Sequence, residues 1–408
     1  MRGVLALIMA GGASPALSVL TSGRSAAAVP FAGKYRIIDF TLSNCVNSGI
    51  YDVGVLTQHF PRSLHEHIGV GKAWDLDRVQ GGVRVLHPWP TPDGGGWQRG
   101  TADAIRYHLD IIEERPVDTV LVLAGDHVYK MDYRPLLETH QQRGADVTVG
   151  VHTVPPHEAY RYGMVSTDAD GRVTRFEEKP RRTISTLASM GIYAFRKQYL
   201  VDLLRSNNAA DFGREMLPGI VGEAHVTAAL FNGYWADVGT LQAFYESNIA
   251  LLAETPALDL YDPDWVVRTR SEERPAAQLG AGARIERSLL CDGCRVDGHV
   301  AGSLIGTGVV VGQGAVIRDS IIMPDTVIEP GAVVDRCIID KGVVVGANTQ
   351  LGEGAASLPN GLLPHLLNTG LSVVGKGARI GEGLTIGRNV VVGQRADIRQ
   401  SIPTGGTV

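Results

Sequence analysis

The sequence predicts two architectures in one chain: an α/β domain built on a doubly wound, mostly parallel sheet, then a left-handed parallel β-helix. Three observations carry this expectation. Short apolar runs closed by turn or polar residues alternate with amphipathic stretches through residues 1–248, the texture of βαβ units. From about Leu279 a six-residue period of aliphatic residue, glycine and small residue takes over, which marks a hexapeptide solenoid. Between them, residues 249–277 carry Pro256, Pro263 and Pro275 and read as a linker, leaving 278–408 to the β-helix.

The elements follow in order. Val4-Leu5-Ala6-Leu7-Ile8-Met9-Ala10 reads as a strand buried on both faces and turns on Gly11-Gly12. Asp52-Val53-Gly54-Val55-Leu56-Thr57 reads as a second strand and Thr119-Val120-Leu121-Val122-Leu123-Ala124-Gly125 as a central one. Between them, residues 102–114 carry Ala102, Ile105, Leu109 and Ile112 at helical spacing, so one helix should pack on the sheet. Two stretches rich in Gly, Pro and Trp, residues 71–78 and 88–97, read as loops whose tryptophans favour mobile lids. Residues 355–370 break the solenoid period, with Pro359, Pro364 and two Leu-Leu pairs, and should leave the coil as a loop or short helix.

Length and composition narrow the class. At 408 residues the chain is too long for one typical core. With 38 lysines and arginines against 43 aspartates and glutamates, the net charge of −5 offers no basic field for nucleic acid or a membrane surface. Any phosphate binding must therefore be local. No stretch has the length or pattern of a membrane span or an export signal, so a soluble, cytoplasmic protein is expected. Cys291 and Cys294 form a C-x-x-C without a second pair or a histidine at zinc spacing, and no metal or redox role is assigned to them.

Two features carry chemistry. Glycines directly after a buried parallel strand let backbone N–H groups approach a phosphate chain, because no side chain stands in the way. Gly125-Asp126-His127 follows the central strand, and a carboxylate there projects into the ligand crevice, where it can hold Mg²⁺ against phosphate oxygens. The competing interpretation of Asp126 is a helix cap.

The residues Pro30-Phe31 through Asp39-Phe40, then Leu42-Ser43-Asn44 and Asn47-Ser48-Gly49-Ile50, resemble the ADP-glucose pyrophosphorylase (glucose-1-phosphate adenylyltransferase) family. The resemblance implies a nucleotide-diphospho-sugar transferase fold. It also implies a metal site of Asp126 with Asp237 of Trp235-Ala236-Asp237-Val238-Gly239-Thr240. By the same resemblance Lys179 takes the sugar phosphate and Glu178 a sugar hydroxyl, while Ser189, Asp211, Phe212 and Trp235 complete the sugar pocket. The nucleotide side would be Ala10, Gly11, Gly12, Gln98, Gly100 and Thr101, with Asp126, Arg24 and Lys179 catalytic. A side-by-side homo-oligomer, a tetramer, is implied as well.

The opening loop departs from the family pattern. Ser14 stands for a glycine, Ala16 for an arginine, Val19 for a proline, Ala26 for a lysine and Ala27 for a second proline. Two cations expected at the triphosphate are thus absent, each worth about 1.5–3 kcal/mol as a charge-assisted contact. Gln98 also replaces the family's tyrosine in Trp97-Gln98-Arg99-Gly100-Thr101-Ala102-Asp103-Ala104, and an amide can hydrogen-bond a base edge. An intact hexose side beside an altered nucleotide side favours GTP and a cyclitol phosphate such as valienol 1-phosphate, in aminocyclitol biosynthesis. The alternatives are ATP with glucose 1-phosphate, for glycogen synthesis, and a non-catalytic regulatory subunit.

Overall fold

In the computed structural model, which describes residues 3–89 and 97–408, the first apolar run forms strand β1 (Val4–Met9). The chain divides into two units that do not follow chain order. One holds the residues up to Gly12, Ile38–Trp235 and Asp262–Arg268; the other holds Ala13–Ile37, Ala236–Tyr261 and Thr269–Val408.

In the first unit β1 lies between β2 (Asp52–Leu56) and β4 (Thr119–Ala124), and β3 (Gly82–Leu86) flanks β2, all parallel. Leu5 to Ile8 and Val120 to Leu123 have no exposed surface, which is why these strands read as unbroken apolar runs rather than alternating ones. The other half of the sheet departs from the parallel expectation. The strands there are β5 (Val147–Thr153), β6 (Gly163–Thr167), β7 (Val173–Glu178), β8 (Leu187–Arg196) and β9 (Val226–Leu230). β8 runs antiparallel to β4, β5 and β6, β7 runs antiparallel to β6, and β9 returns parallel to β5.

Two further expectations change. The helix anticipated over 102–114 is two short ones, α1 (Thr101–Arg106) and α2 (Leu109–Glu114), because the chain tightens at His108, whose N–H bonds the Ile105 carbonyl three residues back. Ala102, Ile105 and Ile112 still face the core. The loop at 71–78 is no lid. Trp74 is 0% exposed and donates its indole N–H to Arg268 O at 3.1 Å, so this loop is part of the core. Of the second tryptophan loop, residues 90–96 lie outside the described residues. The middle of residues 249–277 packs into the first unit, where Trp265 donates to Asn44 Oδ1 at 2.9 Å and Lys130 pairs with Asp262 at 2.7 Å.

The second unit is the solenoid with the segments that pack on it. Parallel strands stack into three faces, so that Ile285, Val300, Ile317, Val334, Leu351 and Ile386 follow one another in register along one inner column. These aliphatic residues meet their copies from coil to coil, and one buried column substitutes for a layered core. Residues 355–370 leave the coil as expected and form a loop. Asn389 Nδ2 bonds Ala356 O and Leu358 O, and Asn360 Nδ2 bonds Asn389 O, so two buried amides fix the loop to the last coil. Tyr245 donates to Asp319 O at 2.7 Å and Asn248 Oδ1 accepts from Ala32 N at 2.8 Å, which ties the segments 236–261 and 13–37 into the same unit. Among the described residues, no helix is long and apolar enough to cross a membrane.

Candidate active site

The C-terminal ends of β1, β2 and β4 open into a cavity of about 520 Å³ in the first unit. Parallel strands place their ligand loops at this edge. Gly11 leaves β1 against the next chain: a Cβ there would sit 2.6 Å from Gln58 N and 2.9 Å from Thr57 C, so only glycine permits the approach. Gly12 meets nothing within 4 Å and stays open to the cavity. Gly125 has the same role on β4, since its Cβ would fall 2.9 Å from Met9 O. Asp126 therefore emerges close beside the end of β1, with its side chain 43% exposed on the cavity wall.

Thr101 begins α1 behind Gly100, whose Cβ would meet Ala210 O at 2.5 Å. That contact brings Asp211 to the same wall. The Thr101 hydroxyl donates to Asp211 Oδ2 at 3.1 Å and accepts from Phe212 N at 3.0 Å. Asp211 Oδ1 accepts from Gly213 N and Arg214 N at 3.0 Å each, capping the following turn of π-helix. Residues more than a hundred positions apart, assigned separately to nucleotide and sugar, thus form one hydrogen-bonded unit.

Beside Asp211 lies Glu178, at the end of β7. A Cβ on Gly213 would be 2.9 Å from Glu178 Oε2 and 3.6 Å from Asp211 Oδ1, so that glycine admits both carboxylates. Burial pushes the Glu178 carboxyl above its usual range, Lys179 opposes this and the Asp211 charge adds to it. Lys179 is exposed and adopts φ +48°, a left-handed conformation unusual for lysine, with its N–H on Tyr162 O at 3.0 Å. Strain held at one residue by its surroundings belongs to sites where a side chain must be aimed. Between Ser189 and Ile192 strand β8 bulges away from β5. Gly191 in that bulge has φ +67°, and a Cβ there would press within 3.0 Å of Ala124. Ser189 shares a 3.2 Å hydrogen bond with the Tyr193 hydroxyl. Trp235 stacks among Tyr162, His127 and His152 at ring separations of 5.2, 5.4 and 5.6 Å.

The expected residues therefore divide. Gly11, Gly12, Gln98, Gly100, Thr101, Asp126 and Asp211 line a single cavity. Ala10 is buried beneath it with its N–H bonded to Leu56 O at 2.9 Å. Phe212 is a core residue, packed on Tyr193 and Phe195 at 6.0 and 5.5 Å, so its side chain does not face a ligand. Arg24 belongs to the second unit, where its buried guanidinium pairs with Asp340 at 2.6 Å and bonds Leu20 O at 2.8 Å. Those contacts hold its side chain within the second unit. Asp237 is also in the second unit and accepts from Gly239 N at 2.9 Å.

Gln58, His59 and Arg99 also line the cavity, although no motif singles them out. Gln58 and His59 follow β2 as Asp126 follows β4, and polar residues immediately after a buried strand were the available signal. Arg99 is a cation on the cavity wall, held by Asp103, whose carboxylate takes Arg99 N at 3.0 Å and Arg106 Nη1 at 2.7 Å. Gln98 is only 7% exposed and, among the described residues, its amide nitrogen has no hydrogen-bond partner, a state that costs about 1–3 kcal/mol when nothing compensates it.

Comparison with known proteins agrees with this geometry. A family described as nucleotidyl transferase matches residues 5–254, and one described as GlmU-like C-terminal hexapeptide matches residues 276–357. A glucose-1-phosphate adenylyltransferase of Thermomicrobium roseum is 52% identical over 93% of this chain and 90% of its own. One of Acetivibrio thermocellus is 44% identical over 92% of this chain and 89% of its own. A third, of Thermotoga maritima, is 46% identical over 76% of this chain and 75% of its own.

Proposed function

We propose that this chain, a member of the ADP-glucose pyrophosphorylase family of sugar-1-phosphate nucleotidyltransferases, joins ATP to glucose 1-phosphate and releases pyrophosphate. The observation that carries the proposal is the single cavity in which the glycine-lined ends of β1 and β4 meet Asp126 and the Thr101–Asp211 pair. The relatives named above are adenylyltransferases of glucose 1-phosphate, which favours this substrate pair over the GTP and cyclitol phosphate expected from the sequence. The amide at position 98 does not argue against ATP, because adenine, like an amide, presents a donor beside an acceptor.

In this reaction a phosphate oxygen of the sugar attacks the α-phosphorus of ATP in line, and pyrophosphate departs. The protein contributes position and charge. Gly11 and Gly12 let the chain approach the phosphates, and Arg99 adds a cation on the same wall. Lys179 meets the sugar phosphate, with Glu178 and Ser189 at sugar hydroxyls. The carboxylate of Asp126, 43% exposed on the cavity wall, suits Mg²⁺, which takes one or two carboxylates and fills its remaining positions with water and phosphate oxygens. Such an ion supplies charge neutralisation at the phosphates when bound. Asp237 is the second carboxylate implied by the resemblance.

Pyrophosphate release, measured for ATP and GTP with glucose 1-phosphate and with valienol 1-phosphate, tests the substrate pair; highest kcat/KM for GTP with the cyclitol would overturn it. Asp126→Ala should abolish turnover with an unchanged melting transition, and retained turnover would remove Asp126 from the mechanism. Asp237→Ala is assayed alongside it.

A further inference from the structure

We propose that His127 is a positioning residue for this reaction: its imidazole braces two walls of the sugar pocket, the Met190 bulge that carries Ser189 and the Trp235 ring. This rests on the nucleotidyl-transfer reaction and the sugar pocket proposed above, and adds what holds that pocket in shape. His127 opens the short strand His127–Tyr129 directly after Asp126, and its side chain is 15% exposed. A residue so placed governs where the substrate-facing groups stand without touching a substrate itself.

The bulge supplies the first contact. The ladder partners of β8 skip Met190 and Gly191: Ser189 pairs with Val151 and Ile192 with Gly150 on β5, and pairing with β4 begins only at Ile192. The two residues therefore leave the sheet, and Met190, which is fully buried, must place its carbonyl elsewhere. His127 Nδ1 lies 3.1 Å from that oxygen. The imidazole packs against Gly191, where a Cβ would stand 3.6 Å from His127 Cε1 and 3.0 Å from Ala124 Cβ. Gly191 N reaches back to Ser189 Oγ at 3.4 Å, so the bulge and the Ser189 hydroxyl move as one piece.

The same nitrogen meets the second wall. Trp235 Nε1 lies 3.3 Å from His127 Nδ1, and the two rings stand edge to face at 5.4 Å. A neutral imidazole nitrogen either carries a proton or offers a lone pair. With the proton, Nδ1 donates to Met190 O. Without it, Nδ1 accepts from the Trp235 indole, and Nε2 then carries the proton on the side of Asp126 Oδ1, 3.9 Å away. Each tautomer braces one wall of the pocket. Replacing the ring by an alkyl group removes both braces together and leaves Ser189 and Trp235 present but no longer held.

The test measures kcat and KM for glucose 1-phosphate and for ATP in the full chain, His127→Leu and His127→Asn, with the melting transition of each. We expect KM for glucose 1-phosphate to rise about 3- to 12-fold in His127→Leu, the loss of one net hydrogen bond, while KM for ATP stays within about twofold. His127→Asn, whose amide offers a donor and an acceptor near the place of Nδ1, should recover most of that rise. In protein already carrying Ser189→Ala and Trp235→Phe, the effect of His127→Leu should shrink below about twofold, because the groups it positions are gone. Folded His127→Leu with the wild-type KM for glucose 1-phosphate would overturn the proposal, as would equal rises for both substrates, no recovery in His127→Asn, or an undiminished effect in the doubly substituted protein. Should His127→Leu fail to fold, His127→Gln, which carries the amide away from Nδ1, takes its place in the comparison with His127→Asn. Unchanged KM for glucose 1-phosphate in the doubly substituted protein itself would refute the sugar pocket, and wild-type protein inactive with every substrate pair would refute the reaction, so these failures are distinguishable.

Discussion

Arg24→Leu separates a structural arginine from a catalytic one. The Arg24–Asp340 pair is almost wholly buried, at 6% and 0% side-chain exposure, with 2.6 Å between Nη2 and Oδ2. Removing the cation leaves a buried carboxylate whose other oxygen is held by Lys341 N at 2.7 Å, and breaking such a pair costs about 3–5 kcal/mol. Lys341 softens the loss. Burial and the charges of Arg36, Arg24 and Lys376 push its ammonium down to about 8, so at neutral pH it already carries its charge beside Asp340, which favours the lower end of that range. At 2–4 °C per kcal/mol for a unit of this size, the melting transition should fall by roughly 6–20 °C. Arg24→Leu combined with Asp340→Leu should recover most of the loss, because an apolar pair of similar volume carries no desolvation cost. Calorimetry reads the transition, and pyrophosphate release measured well below it reads turnover, which should stay within about threefold of wild type. An unshifted transition with turnover down a hundredfold would refute the structural assignment and return Arg24 to catalysis.

Two further outcomes follow from the geometry. Glu178 has its carboxyl raised by burial, so the folded state binds a proton more tightly than the unfolded chain does; stability is full below the ordinary value of 4.5 and declines as pH rises through the folded value. Melting temperature against pH should therefore fall over that window in wild type and stay flatter in Glu178→Gln, which should also raise KM for the sugar phosphate; parallel curves would remove Glu178 as the cause. Trp74→Ala should cost about 3–5 kcal/mol in denaturant unfolding, since a buried ring and its bond to Arg268 O are lost together, and a cost below 1 kcal/mol would restore the lid interpretation.

The departures in the opening loop look different once packed. Ala26, Ala27 and Ala28 are all buried, so a lysine restored at position 26 would have to find room among packed neighbours. Arg99 lies on the cavity wall in the first unit, paired with Asp103.

Periodicity alone determined the two architectures of this protein. A six-residue repeat admits one way of stacking aliphatic columns, and apolar runs such as Leu5 to Ile8 can be buried on both faces only in the middle of a covered sheet. The strand-end position of Asp126 and the need for glycine at Gly11 and Gly125 were legible for the same local reason. Tertiary structure decided what depends on distant partners: that Thr101 and Asp211 join, that Phe212 and Trp74 face the core, that Arg24 pairs with Asp340, and that Gln98 is gripped by Gln58. A motif records which side chains are present, whereas their free donors and acceptors are known only after packing has assigned the rest.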